Sequence, residues 1–304
     1  MRRTASFRSC ARDDPVRNDV PVVTAAQREA FDRDGYVVVP DLLSADELDR
    51  LGAAVDDAVA ARTARDRRTL AEKSRYEQSF QQCINLWEDH TGVRPLTFHQ
   101  GIAGAAATLL DVAALRLWHD QALYKEPGGR LTDAHQDQGY WPIRESDTIT
   151  AWVPLDGSTL DGGAMGYIAG SHRFGVRKFV DIFSGEPEDL LAAPEVRGAG
   201  PIFVEVPRGG VAFHHGLTFH VAKPNRTPRT RRVHTMIFFR DGCTRSAGGF
   251  HPSVDRAGIE AGQPIASSAT PIAWPRASGD LPEPPPPLAE RLWGWPPPRP
   301  SGVS

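Results

Sequence analysis

Two segments of the sequence carry side chains that could bind one metal ion. His135 and Asp137 are two positions apart, and side chains with that spacing on an extended strand point to the same side. His220 lies in another short apolar segment. Two histidines and one carboxylate on one side of a metal leave its other side open, which is typical of non-haem Fe(II) oxygenases. Zinc accepts the same ligand types, and without His220 the other two would be an ordinary surface pair.

An arginine-rich stretch follows His220 and could bind an anion beside the metal. It contains Arg229, Arg231 and Arg232, and a guanidinium is the group best suited to hold a carboxylate through two hydrogen bonds. On an extended strand Arg231 shares a face with Thr235, whereas Arg232 shares the other face with His234. This alternation alone does not choose between the arginines, most of which are expected to be solvated.

The composition excludes several classes of protein. The chain has 304 residues, a net charge of −3 and 24% charged residues, so it lacks the basic excess of a general nucleic-acid binder. No apolar run reaches the roughly 18 residues needed to span a bilayer. The cysteines are few and far apart (Cys10, Cys83 and Cys243), which favours a reduced cytoplasmic protein. An arginine pair near the N-terminus is followed by Asp13 and Asp14 rather than by an apolar stretch, so secretion is not expected.

The positioning elements change in character along the chain. Capping boxes at Thr24 and Ser44 predict helices that end at Gly35 and that span residues 45–62, with a third helix over 98–110. Eight short apolar or alternating runs follow, bounded by Gly, Pro and Asp: 115–125, 134–141, 148–155, 164–169, 202–206, 210–214, 218–222 and 233–240. This pattern predicts a mainly β fold with N-terminal helices and a jelly-roll core, that is, a cupin-like double-stranded β-helix.

The domain organisation follows from the same pattern. We expect a flexible tail over residues 1–21, a single oxygenase-like jelly-roll domain over 22–250 and a Pro-rich extension over 251–304. Trp293 and Trp295 could attach the extension to the body of the protein.

The order of several motifs resembles the phytanoyl-CoA dioxygenase (PhyH) family of Fe(II)/2-oxoglutarate oxygenases. The resemblance covers about residues 25–245. Five stretches carry it: 31–39 (FDRDGYVVV), 124–128 (YKEPG), 135–137 (HQD), 151–156 (AWVPLD) and 162–172 (GGAMGYIAGSH). The ordered set is far more specific than any one of its members.

The resemblance implies the metal ligands and the cosubstrate anchor. It implies that His135, Asp137 and His220 bind Fe(II), with 2-oxoglutarate as cosubstrate and O₂ as oxidant. It also implies that Arg231, eleven residues after the distal histidine, binds the C5 carboxylate of 2-oxoglutarate. Halogenases of this broad class have a small residue in place of the carboxylate, so Asp137 favours oxygenation.

Three further residues match cosubstrate contacts of the family. Trp152 shares a strand face with Thr148 and Thr150, and a tryptophan on a polar face suits the mouth of a barrel better than a core. Gln136 matches another contact, although a regular strand would direct it away from the metal. Lys125 aligns only approximately with a family lysine.

Substrate recognition is less well defined. Residues 62–98 and 173–200 could form lids, and Arg173, Arg177 and Lys178 could meet an anionic substrate or form a solvated turn. His172 and His215 are expected to be structural. Several side chains could line an apolar pocket or belong to the core: Tyr140, Trp141, Met165, Phe179, Phe183 and His214.

The function implied by the resemblance is that of a dioxygenase. We expect hydroxylation, or a related oxidation, of a small organic molecule in bacterial natural-product metabolism, with release of succinate and CO₂. No nucleic-acid or membrane partner is expected, and the oligomeric state is open. Two alternatives are a zinc hydrolase on the same ligands, which would need a glutamate base although no HExxH motif is present, and a non-catalytic jelly-roll binding protein.

Overall fold

The structure, a computed structural model, describes residues 23–177, 194, 196, 198–277 and 279–287. The predicted N-terminal tail lies outside these ranges. So do five residues named above: Lys178, Phe179, Phe183, Trp293 and Trp295.

The helices form where the capping signals predict them. Helix α1 (Ala25–Asp34) and helix α2 (Ala45–Thr63) both begin at a complete capping box. Gly35 ends α1 with φ 80°, and a Cβ there would meet the side chains of His172 and Thr218, so glycine is required for two reasons. The other helices are α3 (Leu86–Asp89), α4 (Arg94–Thr97), α5 (Gln100–Leu110) and α6 (Pro252–Asp255).

A large antiparallel sheet supplies one wall of the fold. Its strands are β1 (Tyr36–Val39), β2 (Gln81–Ile84), β3 (Leu115–Tyr124), β5 (Thr148–Pro154), β8 (Val211–His215), β10 (Val233–Arg240) and β11 (Ile272–Trp274). Their order is β1-β8-β5-β10-β3-β11, and β2 also pairs with β3.

A smaller sheet supplies the opposite wall. Its strands are β4 (Thr132–His135), β6 (Met165–Tyr167), β7 (Ile202–Val204) and β9 (His220–Ala222), in the order β4-β9-β6-β7. Side chains from both sheets line one cavity, and the mainly β jelly roll predicted from the sequence is therefore confirmed.

The pleat of the large sheet separates core from cavity. On β5, Ile149, Ala151 and Val153 belong to the main hydrophobic core, together with side chains of α2 and α5. Thr150 and Trp152 alternate with them and face the cavity. The helices therefore cover the outer face of the sheet and leave its inner face to the site.

Two predicted boundaries differ from the structure. The predicted strand over 134–141 ends at His135, and Asp137–Tyr140 form a turn of 3₁₀ helix. The domain limits stay a prediction, but Ile272–Trp274, within the predicted extension, pairs with β3 of the large sheet. Among the described residues, no helix combines the length and the apolar composition needed to cross a lipid bilayer.

Candidate active site

The three predicted metal ligands meet at one point of the cavity. His135 on β4 pairs directly with His220 on β9, and their rings are 4.2 Å apart between centroids. Oδ1 of Asp137 lies 3.7 Å from Nε2 of His135 and 3.6 Å from Nε2 of His220. One ligand atom from each residue lies within 4.8 Å of the other two. Since Asp137 begins a 3₁₀ turn, this geometry comes from the end of β4 and not from strand alternation.

Backbone contacts orient both imidazoles in the same way. Nδ1 of His135 lies 2.8 Å from the carbonyl oxygen of Asp133, and Nδ1 of His220 lies 3.0 Å from that of Thr218. A carbonyl oxygen can only accept, so each Nδ1 carries the hydrogen and each Nε2 keeps a lone pair towards Asp137. Burial lowers the pKa of both histidines to about 4. Both rings are therefore neutral at neutral pH, which is the form that binds metals.

The second oxygen of Asp137 is held by the large sheet. Oδ2 accepts a hydrogen bond of 2.9 Å from Oγ1 of Thr150 and lies 3.1 Å from Nε2 of His214. Thr150 and His214 are cross-strand partners on β5 and β8. Burial alone would raise the pKa of Asp137, but His220 and His214 outweigh it and hold this pKa well below its ordinary value. Asp137 is thus an ionised carboxylate with one oxygen turned towards the two ligand histidines.

Arg231 is the arginine that reaches the cavity. It is 7% exposed, its Nη1 donates a hydrogen bond of 2.7 Å to the carbonyl oxygen of Gly163, and its guanidinium lies 5.3 Å from the ring centroid of Trp152. Arg232 instead pairs with Asp56 and Asp156 outside the cavity. The exposed Arg229 does not line the cavity either.

The guanidinium of Arg231 lacks a balancing acid. Within the described residues, no carboxylate forms an ion pair with it, and its buried Nε has no hydrogen-bond partner. Burial lowers the pKa of Arg231 to about 9, which still leaves the group charged at neutral pH. A buried unpaired cation is costly, so the site fits an anionic ligand at this point.

The donor set fits a divalent metal in the same cavity. Two neutral imidazoles and one carboxylate suit Fe(II) or Zn(II), and the partly open cavity that they line has a volume of about 100 Å³. Trp152 and Arg231 line the same cavity. The residues present therefore fit both a metal and an acidic cosubstrate.

Gln136 and Lys125 are placed differently from the other predicted site residues. The amide nitrogen of Gln136 donates to the carbonyl oxygens of Gly175 and Leu217, and its amide oxygen accepts from the backbone of Arg177. Nζ of Lys125 donates to the carbonyl oxygen of Arg130 at 2.6 Å. Neither side chain lines the cavity. Gln136 points away from the metal ligands, as expected for the residue between His135 and Asp137, and its hydrogen bonds connect two loops.

The remaining candidates divide into lining and structural residues. Tyr140, Trp141, Met165 and His214 all line the cavity, and Arg173 and Arg177 do not. His214, expected from the sequence to be a pocket or core residue, also contacts Asp137, and the sequence did not predict that contact. His214 and His215 are neighbours on β8 and therefore point to opposite faces of the sheet. This alternation could have indicated that one of the two histidines faces the cavity. Nδ1 of His215 accepts from the backbone of Leu217, a structural role, as predicted.

Comparison with known proteins identifies a family and several relatives of this chain. Residues 31–233 match the family model described as phytanoyl-CoA dioxygenase (PhyH). Ectoine dioxygenase of Sphingopyxis alaskensis is 28% identical over 239 residues, which cover 73% of this chain and 74% of that protein. Methylphosphonate hydroxylase of Gimesia maris is 24% identical over 224 residues, which cover 69% of this chain and 78% of that protein.

Solved structures show the same architecture. The non-haem, α-ketoglutarate-dependent carbocyclase SnoK of nogalamycin biosynthesis superposes with a TM-score of 0.68 at 26% identity, covering 82% of this chain and 96% of that one. EctD of S. alaskensis, solved with 2-oxoglutarate and 5-hydroxyectoine, gives a TM-score of 0.60 at 24% identity, with 75% and 80% covered. At that identity the second likeness shows the fold alone.

Fold and site together define an enzyme of the 2-oxoglutarate-dependent, non-haem iron dioxygenase class. Within that class, the chain belongs to the phytanoyl-CoA dioxygenase family, whose model matches two thirds of its length. The class and the family predicted from the sequence motifs are therefore both confirmed.

Proposed function

We propose that this dioxygenase binds Fe(II) through His135, Asp137 and His220, binds 2-oxoglutarate through Arg231, and oxidises a small organic molecule with release of succinate and CO₂. The observation that carries the proposal is the convergence of three ligand atoms within 4.8 Å, in a cavity that also holds a buried guanidinium without an acid partner.

The protein residues have separate tasks in this proposal. Arg231 supplies a charged, two-pronged donor for the distal carboxylate of the cosubstrate. Trp152 packs against the guanidinium and, at 2% exposure, limits the water that could compete for it. Thr150 and His214 hold the second oxygen of Asp137, so that its first oxygen stays directed at the histidines.

The metal would supply the redox chemistry that no side chain offers. Iron held by this ligand set provides one-electron and O₂ chemistry, and the protein contributes geometry, electrostatics and a dry pocket. Because Asp137 fills the carboxylate position, we propose oxygenation, with hydroxylation as the main reaction, rather than halogenation. A role in bacterial natural-product metabolism is supported by the likeness to SnoK, an enzyme of nogalamycin biosynthesis.

The two alternatives from the sequence have less support. A zinc hydrolase needs a second acid as general base, and among the described residues Asp137 is the one carboxylate that lines the cavity. A non-catalytic binding protein would not need three oriented metal ligands beside a buried, unpaired arginine.

The test is anaerobic reconstitution of the full chain with Fe(II) and 2-oxoglutarate. We expect a visible absorption band from cosubstrate bound to iron and, after O₂ is added, succinate above a no-enzyme control. Candidate small molecules should raise succinate and give a product heavier by one oxygen atom. Absence of both the band and succinate would contradict the proposal.

A further inference from the structure

The strand register places a second group of polar side chains two strands away from Thr150 and Trp152, which contact Asp137 and Arg231. On β10, Ile237 lies between Thr150 of β5 and His119 of β3 and pairs with both. Thr235 lies in the same way between Trp152 and Gln121. Two strand spacings amount to roughly 10 Å. We call Tyr76, Gln82, His119, Gln121 and His251 the neutral side of the cavity, and the metal ligands with Arg231 the ionic side; both groups line the cavity.

Gln121 presents an amide donor on the neutral side. The hydroxyl of Tyr76 donates to the amide oxygen of Gln82 at 2.8 Å, and the amide nitrogen of Gln82 donates to the amide oxygen of Gln121 at 2.5 Å. This chain of hydrogen bonds runs in one direction and uses the acceptor of Gln121. Its amide nitrogen has no hydrogen-bond partner among the described residues, so it is available to a bound molecule.

His119 presents an acceptor two residues away on the same face of β3. Its Nδ1 faces the carbonyl oxygen of Asp120 at 3.4 Å, which places the hydrogen on Nδ1 and leaves Nε2 with a lone pair. Its ring stacks 5.6 Å from that of His251, which stacks 4.3 Å from Trp118. Burial lowers the pKa of His119 to about 4 and that of His251 well below its ordinary range. Both rings are therefore uncharged at neutral pH.

Apart from the ionic side, the described lining carries no charged side chain. Arg231 is its one lysine or arginine and Asp137 its one carboxylate, and both are assigned to cosubstrate and metal by the proposed function. The space between the neutral groups is bounded by the aromatic side chains Tyr76, Phe80, Tyr140 and Trp141. None of the described residues on this side offers a counter-ion, so a charged group bound among them would lose its hydration at a large cost in free energy.

We propose that the substrate is an uncharged molecule with a flat apolar body and hydrogen-bonding oxygen atoms, and that Gln121 and His119 position it. Gln121 donates to a carbonyl or ether oxygen, and His119 accepts from a hydroxyl group. The inference rests on the proposed function, because it takes Arg231 and Asp137 as already engaged. It excludes substrates that would place a phosphonate, carboxylate or ammonium group among these residues.

The test compares four probes that share one bicyclic body. Equilibrium dialysis is performed on the full chain with zinc and saturating 2-oxoglutarate, against 1-naphthol, naphthalene, 1-naphthoate and 1-naphthylmethylammonium. We expect 1-naphthol to bind roughly three- to tenfold more tightly than naphthalene, which is the range for one or two hydrogen bonds. Both ions should bind more weakly than 1-naphthol by about tenfold or more. Equal or tighter binding of either ion would overturn the inference.

Substitutions at Gln121 locate the effect. Gln121→Leu removes one of the two proposed partners of the hydroxyl group and leaves His119, so it should reduce but not abolish the preference for 1-naphthol over naphthalene. Gln121→Lys should raise 1-naphthoate binding by roughly tenfold, since it adds a cation to the neutral side. Gln263→Lys makes the same change at an exposed position and should change neither. If Gln121→Leu does not fold by circular dichroism, Gln121→Lys alone decides, and unchanged selectivity in that variant contradicts the inference.

The outcome is separable from the proposed function. Succinate formation without preference for 1-naphthol would overturn the substrate class and leave the iron and 2-oxoglutarate assignment standing. Preference for 1-naphthol without the absorption band or succinate would overturn the iron and 2-oxoglutarate assignment and leave the binding of an uncharged molecule by Gln121 and His119 standing.

Discussion

The two sides of the cavity differ in charge and in how firmly their side chains are held. On the ionic side, His135 and His220 are fixed by hydrogen bonds to nearby backbone carbonyl oxygens, and Asp137 is fixed by a hydrogen bond from the large sheet. On the neutral side, the amide nitrogen of Gln121 and Nε2 of His119 have no partner among the described residues. The ionic side is thus preorganised for the proposed metal and cosubstrate, whereas the neutral side keeps unused hydrogen-bonding groups for a substrate that binds only during turnover.

Removal of Asp137 should have the largest effect, because it eliminates one metal ligand and the only carboxylate of the described lining. We expect Asp137→Ala to abolish oxidation of any substrate found for the wild type, together with its coupled succinate. Succinate and product, measured by mass spectrometry, provide the test. Asp156→Ala, at an exposed aspartate paired with Arg232, serves as the control. Full coupled turnover in Asp137→Ala would show that the metal is not held as proposed.

Replacement of Arg231 should act on one ligand only. Arg231→Gln removes a buried charge whose hydrogen bonds to a carboxylate are each worth roughly 1.5–3 kcal/mol, so the apparent KM for 2-oxoglutarate should rise by about a hundredfold. Iron affinity should change little, because the three metal ligands are untouched. The measurement is 2-oxoglutarate consumption against its concentration.

Arg229→Gln is the matched control for Arg231. Arg229 belongs to the same arginine cluster but is exposed and lies outside the cavity, so its KM should equal that of the wild type. A similar KM in the Arg229→Gln and Arg231→Gln variants would contradict the assignment of the cosubstrate anchor.

His214 should have a smaller effect on metal affinity. His214→Phe removes the group 3.1 Å from Oδ2 of Asp137, and loss of a group that orients a metal ligand costs roughly 10- to 100-fold in metal affinity. Titration of the metal-free protein with Fe(II) under anaerobic conditions, against a competing chelator, measures the change. His214→Gln keeps a donor and should recover most of the affinity, and His90→Phe, outside the cavity, should leave it unaltered. Wild-type affinity in His214→Phe would overturn this positioning role.

The sequence predicted the ionic side better than the neutral side. The residue types of His135, Asp137 and His220 suggested a metal site, but the resemblance to the PhyH motifs was needed to indicate all three as ligands and Arg231 as the cosubstrate anchor. The metal-facing direction of Asp137 was inferred from strand alternation, which is wrong in detail because β4 ends at His135. The 3₁₀ turn places Asp137 next to His135, as a continued strand would also have done.

The neutral side could not be predicted because its residues have no distinctive pattern. His119 and Gln121 alternate on β3, but this pattern equally describes a half-buried structural strand. Strand β2 carries two glutamines and was not predicted, since its polar residues conceal its pairing with β3. His251 lies in the segment predicted as a Pro-rich extension, yet it stacks against Trp118. Such contacts depend on which strands become neighbours, and local sequence does not specify that.

The last prediction concerns protein stability and the charge of Lys125, which is buried next to Arg231. Lys125 pairs by backbone hydrogen bonds with Arg231 and is fully buried. Burial, aided by the nearby Arg231 and Arg130, lowers the pKa of Lys125 to about 6. Lys125 is therefore mostly neutral at neutral pH, and the guanidinium of Arg231 supplies the positive charge at this side.

The shifted pKa of Lys125 makes the stability of the protein depend on pH. The unfolded chain binds a proton on this amine up to about pH 10.4, whereas the folded chain releases it above about pH 6. Unfolding between these values takes up a proton, so the stability of the wild type should rise with pH relative to Lys125→Met, by up to roughly 1.4 kcal/mol per pH unit. Urea unfolding of both proteins at several pH values between 6 and 10 measures this difference. Lys223→Met, at a partly exposed lysine over Phe203, should give a curve parallel to that of the wild type. A Lys125→Met curve parallel to both would mean that Lys125 keeps its charge and that a second buried cation lies next to Arg231.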